Sequence, residues 1–224
     1  VVFTFTARDS NGASDLIDST ALAQFTNPGE PTRSNTCSLQ STAGKEKTYS
    51  CSVAMQYYDE SGSWSVSVWV NDTQNAQATA SSTFTVNLLR DITITPASIN
   101  FPTVIPEQTN VSAVDTTLIT NNGNFESPLI GPVTATAFNL VGETNPLESL
   151  PAANFRIAGS SQTDVCGLGN SLTSATPVPV GSATLARGAT GNTETLNYCL
   201  TLVPDVTSQF YSASGGNSWV IAIN

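Results

Sequence analysis

Apolar and polar residues alternate with period two along much of this chain. The clearest run is residues 61–72, S-G-S-W-S-V-S-V-W-V-N-D. Trp64, Val66, Val68 and Val70 fall on one side of an extended backbone, and Ser65, Ser67 and Trp69 fall on the other. That alternation, in β-branched and aromatic types, marks a half-buried strand. Gly62 before it and Asn71-Asp72 after it are turn formers. Residues 64–70 therefore read as the central strand of a small β-sandwich.

The chain opens with the same alternation in V-V-F-T-F-T-A, where Val1, Phe3, Phe5 and Ala7 share a face. Further strands are expected at residues 20–26, in a hairpin over 36–53 that turns near Ala43-Gly44-Lys45, and at 80–89. The loop 9–18 and the breaker cluster Asn27-Pro28-Gly29-Glu30-Pro31 separate them. Residues 82–95 hold no Gly or Pro, so one sandwich runs almost directly into a second, and so short a joint implies limited interdomain freedom. The second sandwich is expected to use 91–95, 98–101, 111–120, 133–141, 154–158, 178–186, 193–203 and 218–223. Turn signals lie at 103–108, Asn121-Asn122-Gly123-Asn124, 159–161 and Gly215-Gly216. Sustained 3.6-residue periodicity is absent, so little helix is expected. The expected class is all-β, with two tandem sandwiches over residues 1–90 and 91–224.

Composition narrows the function. The formal net charge is −10, with seven Lys and Arg in 224 residues, so no basic patch is available for nucleic acid. No run of 18 apolar residues occurs, so no membrane segment is expected in this chain. Histidine is absent, which removes Ser-His-Asp and Cys-His catalysis and His-ligated zinc. No enzyme activity is expected. The four cysteines form two local couples, Cys37 with Cys51 and Cys166 with Cys199. The hairpin would set Cys37 opposite Cys51 and Leu39 opposite Tyr49. Disulfides in both couples imply an oxidising, extracytoplasmic setting, while four buried free thiols are the alternative. The chain has neither a start Met nor an export signal, as expected of a processed chain or of a segment of a longer one.

Few stretches carry candidate chemistry. Asp9-Ser10-Asn11-Gly12-Ala13-Ser14-Asp15 alternates Asp and Asn around a glycine, which supplies oxygens on a tight loop suited to Ca²⁺. Asp9, Asn11 and Asp15 are the candidate ligands, with Asp72 a weaker fourth, and a metal-free turn built by the same Asx residues is the competing reading. Asp59-Glu60 reads as a hairpin cap, and Lys45 and Lys47 as solvated residues at a turn tip beside Glu46. Asn71-Asp72-Thr73 and Asn110-Val111-Ser112 are acceptors for covalent N-glycans, with Asn71 and Asn110 as the sites. Tyr57, Tyr58, Trp69 and Trp219 could form a sugar-stacking platform, but Trp69 on its serine face points rather to a contact with protein.

Several stretches together resemble immunoglobulin-like modules of prokaryotic, especially archaeal, cell-surface proteins. They are V-V-F-T-F-T-A-R-D-S-N-G-A-S-D-L, S-G-S-W-S-V-S-V-W-V-N-D and S-T-F-T-V, then I-T-I-T-P-A-S-I-N-F-P-T-V-I-P-E-Q-T-N-V-S-A and T-N-N-G-N. The resemblance covers both halves and implies two immunoglobulin-like sandwiches in an extracellular, cell-surface setting. Modules of this kind build pili, filaments and surface layers, or serve as stalks and adhesins. The departure is in the first half, where the strand that normally precedes the first one is lacking. A sandwich short of a strand exposes a groove and unpaired edges, which a strand from a neighbouring subunit would close. The expected function is thus a structural subunit of a self-associating extracellular polymer linked by strand complementation. Val1, Phe3, Phe5, Trp69 and Trp219 are the expected subunit contacts. The alternative is a stalk or adhesin fragment that binds glycans or another cell.

Overall fold

A computed structural model describes residues 1–213 and 217–224. It is all-β and divides into two compact units, Val1–Leu89 and Arg90–Asn224. The expected turn at Gly215-Gly216 lies outside the described residues.

Seven strands build unit 1: β1 (Val2–Arg8), β2 (Leu22–Thr26), β3 (Arg33–Thr36), β4 (Ser38–Ala43), β5 (Glu46–Ser52), β6 (Gly62–Asn71) and β7 (Gln77–Val86). They form two antiparallel sheets in the orders β1-β5-β4 and β3-β2-β6-β7. The alternation of β6 sets its role, since Trp64, Val68 and Val70 are buried and Val66 packs against the same core. Ala23 and Phe25 of β2, with Tyr49 and Cys51 of β5, complete the interior between the sheets. Burial of each large side chain is worth about 1.5–3 kcal/mol. Strand β3 was not expected, because R-S-N-T carries no apolar alternation; it is a four-residue edge strand paired to β2. Strand β7 begins three residues earlier than expected, and its register with β6 is unbroken from Gly62↔Val86 to Asn71↔Gln77.

The two long sides of this sandwich differ. On one side the chain crosses from β3 to β4 through Cys37 alone, and Cys37 is bonded to Cys51. Cys37 N donates to Ala21 O at 2.8 Å, and Asn35 Nδ2 donates to Ser52 O at 2.8 Å. A register shift between Leu39 and Ser41 bends β4. On the other side β1 and β7 each pair with a single strand. Val1 and Val53 exchange both main-chain bonds, so in an antiparallel ladder Phe3, Phe5 and Ala7 also turn their main-chain groups toward β5. The N–H and C=O groups of Val2, Thr4, Thr6 and Arg8 then point outward, where no described strand meets them. Ala78, Ala80 and Ser82 share the core-facing side of β7 with Phe84 and Val86, yet all three are exposed.

Unit 2 contains β8 (Ile92–Thr95), β9 (Thr109–Ser112), β10 (Thr117–Asn121), β11 (Val133–Thr136), β12 (Leu140–Gly142), β13 (Ser149–Leu150), β14 (Phe155–Gly159), β15 (Asn170–Ser171), β16 (Val178–Pro179), β17 (Thr193–Leu202), β18 (Tyr211–Ser212) and β19 (Val220–Ile223). A six-stranded sheet runs β15-β14-β17-β10-β8, with β9 also on β17; two three-stranded sheets run β16-β11-β19 and β13-β12-β18. Phe125, Phe155, Ile157, Leu185 and Leu196 are fully buried at its centre. The strand expected over 111–120 is broken in two. Strands β9 and β10 lie end to end along one edge of β17, and Val114 and Asp115 leave the ladder to bind Asn100 between them. That same binding explains why 98–101 is not a strand: the Asp115 carboxylate and the Val114 amide take up the main chain of Asn100. A short helix, α1 (Val165–Leu168), is capped by Asp164 and tied to β17 by the Cys166–Cys199 disulfide. No helix among the described residues is long and apolar enough to cross a membrane.

Candidate functional site

The chain's acidic loop forms one tip of unit 1. Strand β1 delivers Asp9, a 3₁₀ turn at Ala13–Asp15 delivers Asp15, and the β6–β7 connection delivers Asp72. Ligand oxygens of these three carboxylates lie within 4.8 Å of one another. Asp9 Oδ1 accepts from Asn11 N at 2.7 Å, and Asp72 Oδ1 accepts from Gln74 N and Ala76 N, both at 2.8 Å. Asp15 accepts from the Thr73 hydroxyl, and Thr73 N donates to Asp15 O at 2.9 Å. Gly12 has φ +140°, which only glycine adopts without strain, and this bends the loop back on itself. Asp72, expected to be the weaker fourth ligand, is the third member of the cluster. Asn11 directs Nδ2 toward Asp15 Oδ2 at 3.4 Å, so here it acts as a donor. Three carboxylate oxygens are a partial set for Ca²⁺, which takes 6–8 oxygens, the rest from main-chain carbonyls and water.

Below the tip, Lys47 corrects the expectation of a solvated turn residue. Its register with Ala7 carries it inward; it is 9% exposed and donates to Leu16 O at 2.9 Å and to Asp18 Oδ1 at 2.7 Å. Tyr49 donates to the same Asp18 oxygen at 2.9 Å. The Lys47 hydrogen bond holds the Asp18 carboxyl below its usual range. Burial, then the bond to Asp18, pushes the Tyr49 hydroxyl up. The acid pair at Asp59-Glu60 is also no simple cap. The Asp59 side chain is completely buried, binds Arg33, and accepts from Gln56 N at 2.7 Å. Trp64 Nε1 donates to Glu60 O at 2.8 Å. Sequence gave no signal for these pairings, since each joins residues at least 26 positions apart or depends on a loop path.

The remaining expected residues are dispersed. Asn71 is partly buried and accepts from Gln77 Nε2 at 3.2 Å, while Asn110 is exposed with φ +57°. Trp69 is half-buried on the outer face, between its cross-strand neighbours Leu22 and Thr79. Tyr57 and Tyr58 meet edge to face at 5.1 Å. Trp219, expected as a subunit contact, is partly buried in unit 2, where it lies edge-on to Phe155 at 5.1 Å and donates to Phe138 O at 2.8 Å. Unit 2 also holds a hub that the sequence did not suggest. Glu148 accepts from Thr207, Gln209 and Tyr211, and the Thr207 hydroxyl and amide lead in holding its carboxyl down to about 2. Compared with family models, curated proteins and solved structures, the chain has no match.

Proposed function

We propose that this chain is a structural module of an extracellular assembly, a filament or surface layer whose subunits are joined by added β-strands. The observation that carries the reading is the open side of unit 1. The strand orders β1-β5-β4 and β3-β2-β6-β7 support an immunoglobulin-like reading in which β1 to β7 stand for B, C, C′, D, E, F and G. No described strand pairs with the outward edge of β1. Four residues of β1 present main-chain donors and acceptors outward, Phe3 and Phe5 on that strand are half-buried, and Ala78, Ala80 and Ser82 of β7 are exposed. Small exposed residues on the core-facing side of β7 leave room for an extended segment there. An edge with no Lys, Pro or bulge is an aggregation hazard unless something covers it. A strand supplied by a neighbour covers it, and a head-to-tail contact of that type propagates. Two disulfides support an oxidising, cell-surface location.

Negative-stain microscopy of native material tests the reading. Filaments or a lattice are expected. Thr6→Pro removes an outward amide while sparing the main-chain bonds to β5, at the loss of the exposed Thr6–Thr48 hydroxyl contact, so this variant should fold and fail to assemble. Monodisperse monomer at high concentration, or unchanged assembly of Thr6→Pro, would contradict the reading.

A further inference from the structure

Two Asn-Gly pairs occur in the chain, Asn11-Gly12 and Asn122-Gly123, and their surroundings differ in a way that bears on a covalent reaction. The main-chain nitrogen after an asparagine can attack its side-chain carbonyl, and a following glycine leaves that attack sterically open. We propose that Asn11 is a site of spontaneous modification to aspartyl or isoaspartyl and that Asn122 is protected by the fold. In the reaction the Gly12 nitrogen gives its proton to solvent base and forms a bond to Asn11 Cγ. The Cγ–Nδ2 bond breaks and ammonia leaves. Water then opens the cyclic imide at one of its two carbonyls.

At Asn122 both reacting groups are held. Asn122 Nδ2 donates to Thr93 Oγ1 at 2.6 Å, and Gly123 N donates to Asn121 Oδ1 at 2.8 Å. Asn121 is itself fixed, fully buried and donating to Phe125 O and Ala186 O at 2.8 and 3.0 Å. Asn122 N is tied to Asp91 O at 2.9 Å. Imide closure there must break both the Nδ2 and the Gly123 bonds. At Asn11 the side chain is exposed, its Nδ2 has only the 3.4 Å approach to Asp15, and no described residue accepts from Gly12 N. Conversion replaces that Nδ2 donor with a carboxylate oxygen facing Asp15. A weak attraction becomes a repulsion, and a fourth acid joins Asp9, Asp15 and Asp72.

The inference is independent of the assembly reading. Its test is peptide mass mapping of the folded chain during incubation at mildly alkaline pH, beside the same chain reduced and unfolded. Two hydrogen bonds at Asn122 should make it react roughly tenfold more slowly than Asn11 in the folded protein. In the unfolded chain the two rates should converge. Thr93→Val, an exposed substitution, should speed reaction at Asn122 and leave Asn11 unchanged. Equal rates in the folded protein, a faster Asn122, or a difference that persists on unfolding would overturn the proposal.

Discussion

The two long sides of unit 1 share the same two sheets but are finished in opposite ways. One is laced shut by a chain crossing at Cys37, the Cys37–Cys51 bond, the Asn35–Ser52 hydrogen bond and the buried Arg33–Asp59 pair. Its edges are a four-residue strand and a strand with a register shift. The other side has two straight edges, β1 and β7, and small inward-facing residues left in solvent. On the open side Phe3, Phe5, Phe84 and Val86 still pack against the core, while the outward main-chain groups of β1 meet no described strand.

The largest break in that comparison should come from the closed side. Arg33→Ala removes the charge partner of the fully buried Asp59 carboxylate, which keeps its bond from Gln56 N, at a cost of about 3–5 kcal/mol in a denaturant melt. An effect below about 1 kcal/mol would mean that the pair adds nothing. Replacing Cys37 and Cys51 together by Ala should cost about 3 kcal/mol, from release of a loop with a sequence separation of 14.

A smaller effect is expected at the tip, where Asp9 follows β1 and Asp72 leads toward β7, so a cation there would clip the open side at one end. Calcium at about a hundredfold over its dissociation constant should raise stability by about 2.7 kcal/mol, and Asp72→Asn should remove most of that gain. A melting temperature indifferent to both calcium and chelator would leave the loop as a metal-free turn. The smallest effect concerns pH. The Asp18 carboxyl is lowered from 3.8 by Lys47, so its contribution is present at neutral pH and is lost as pH falls below that value. Lys47→Met should flatten this acid limb, and an unchanged limb would count against the bond.

Where the chain alternates, the sequence was easy to read. Strands β1, β2, β5 and β6 announce themselves because one face is buried and the other wet. Strand β3 did not, because an edge strand of Arg, Ser, Asn and Thr needs no apolar face. In unit 2, two-residue strands such as Ser149–Leu150 and Tyr211–Ser212 are too short to show any period. The acidic tip was half legible. Asp9 and Asp15 lie in one loop, but Asp72 arrives through the folding of β6 beside them, and the burial of Lys47 and Asp59 depends on partners far along the chain.

Amide hydrogen exchange along β1 tests the central claim most directly. In the isolated chain Phe3, Phe5 and Ala7, bonded to β5, should exchange slowly, and Thr4, Thr6 and Arg8 quickly. In assembled material the account predicts that Thr4, Thr6 and Arg8 become as protected as their neighbours. Assembly in which those three amides still exchange as fast as in the isolated chain would contradict it.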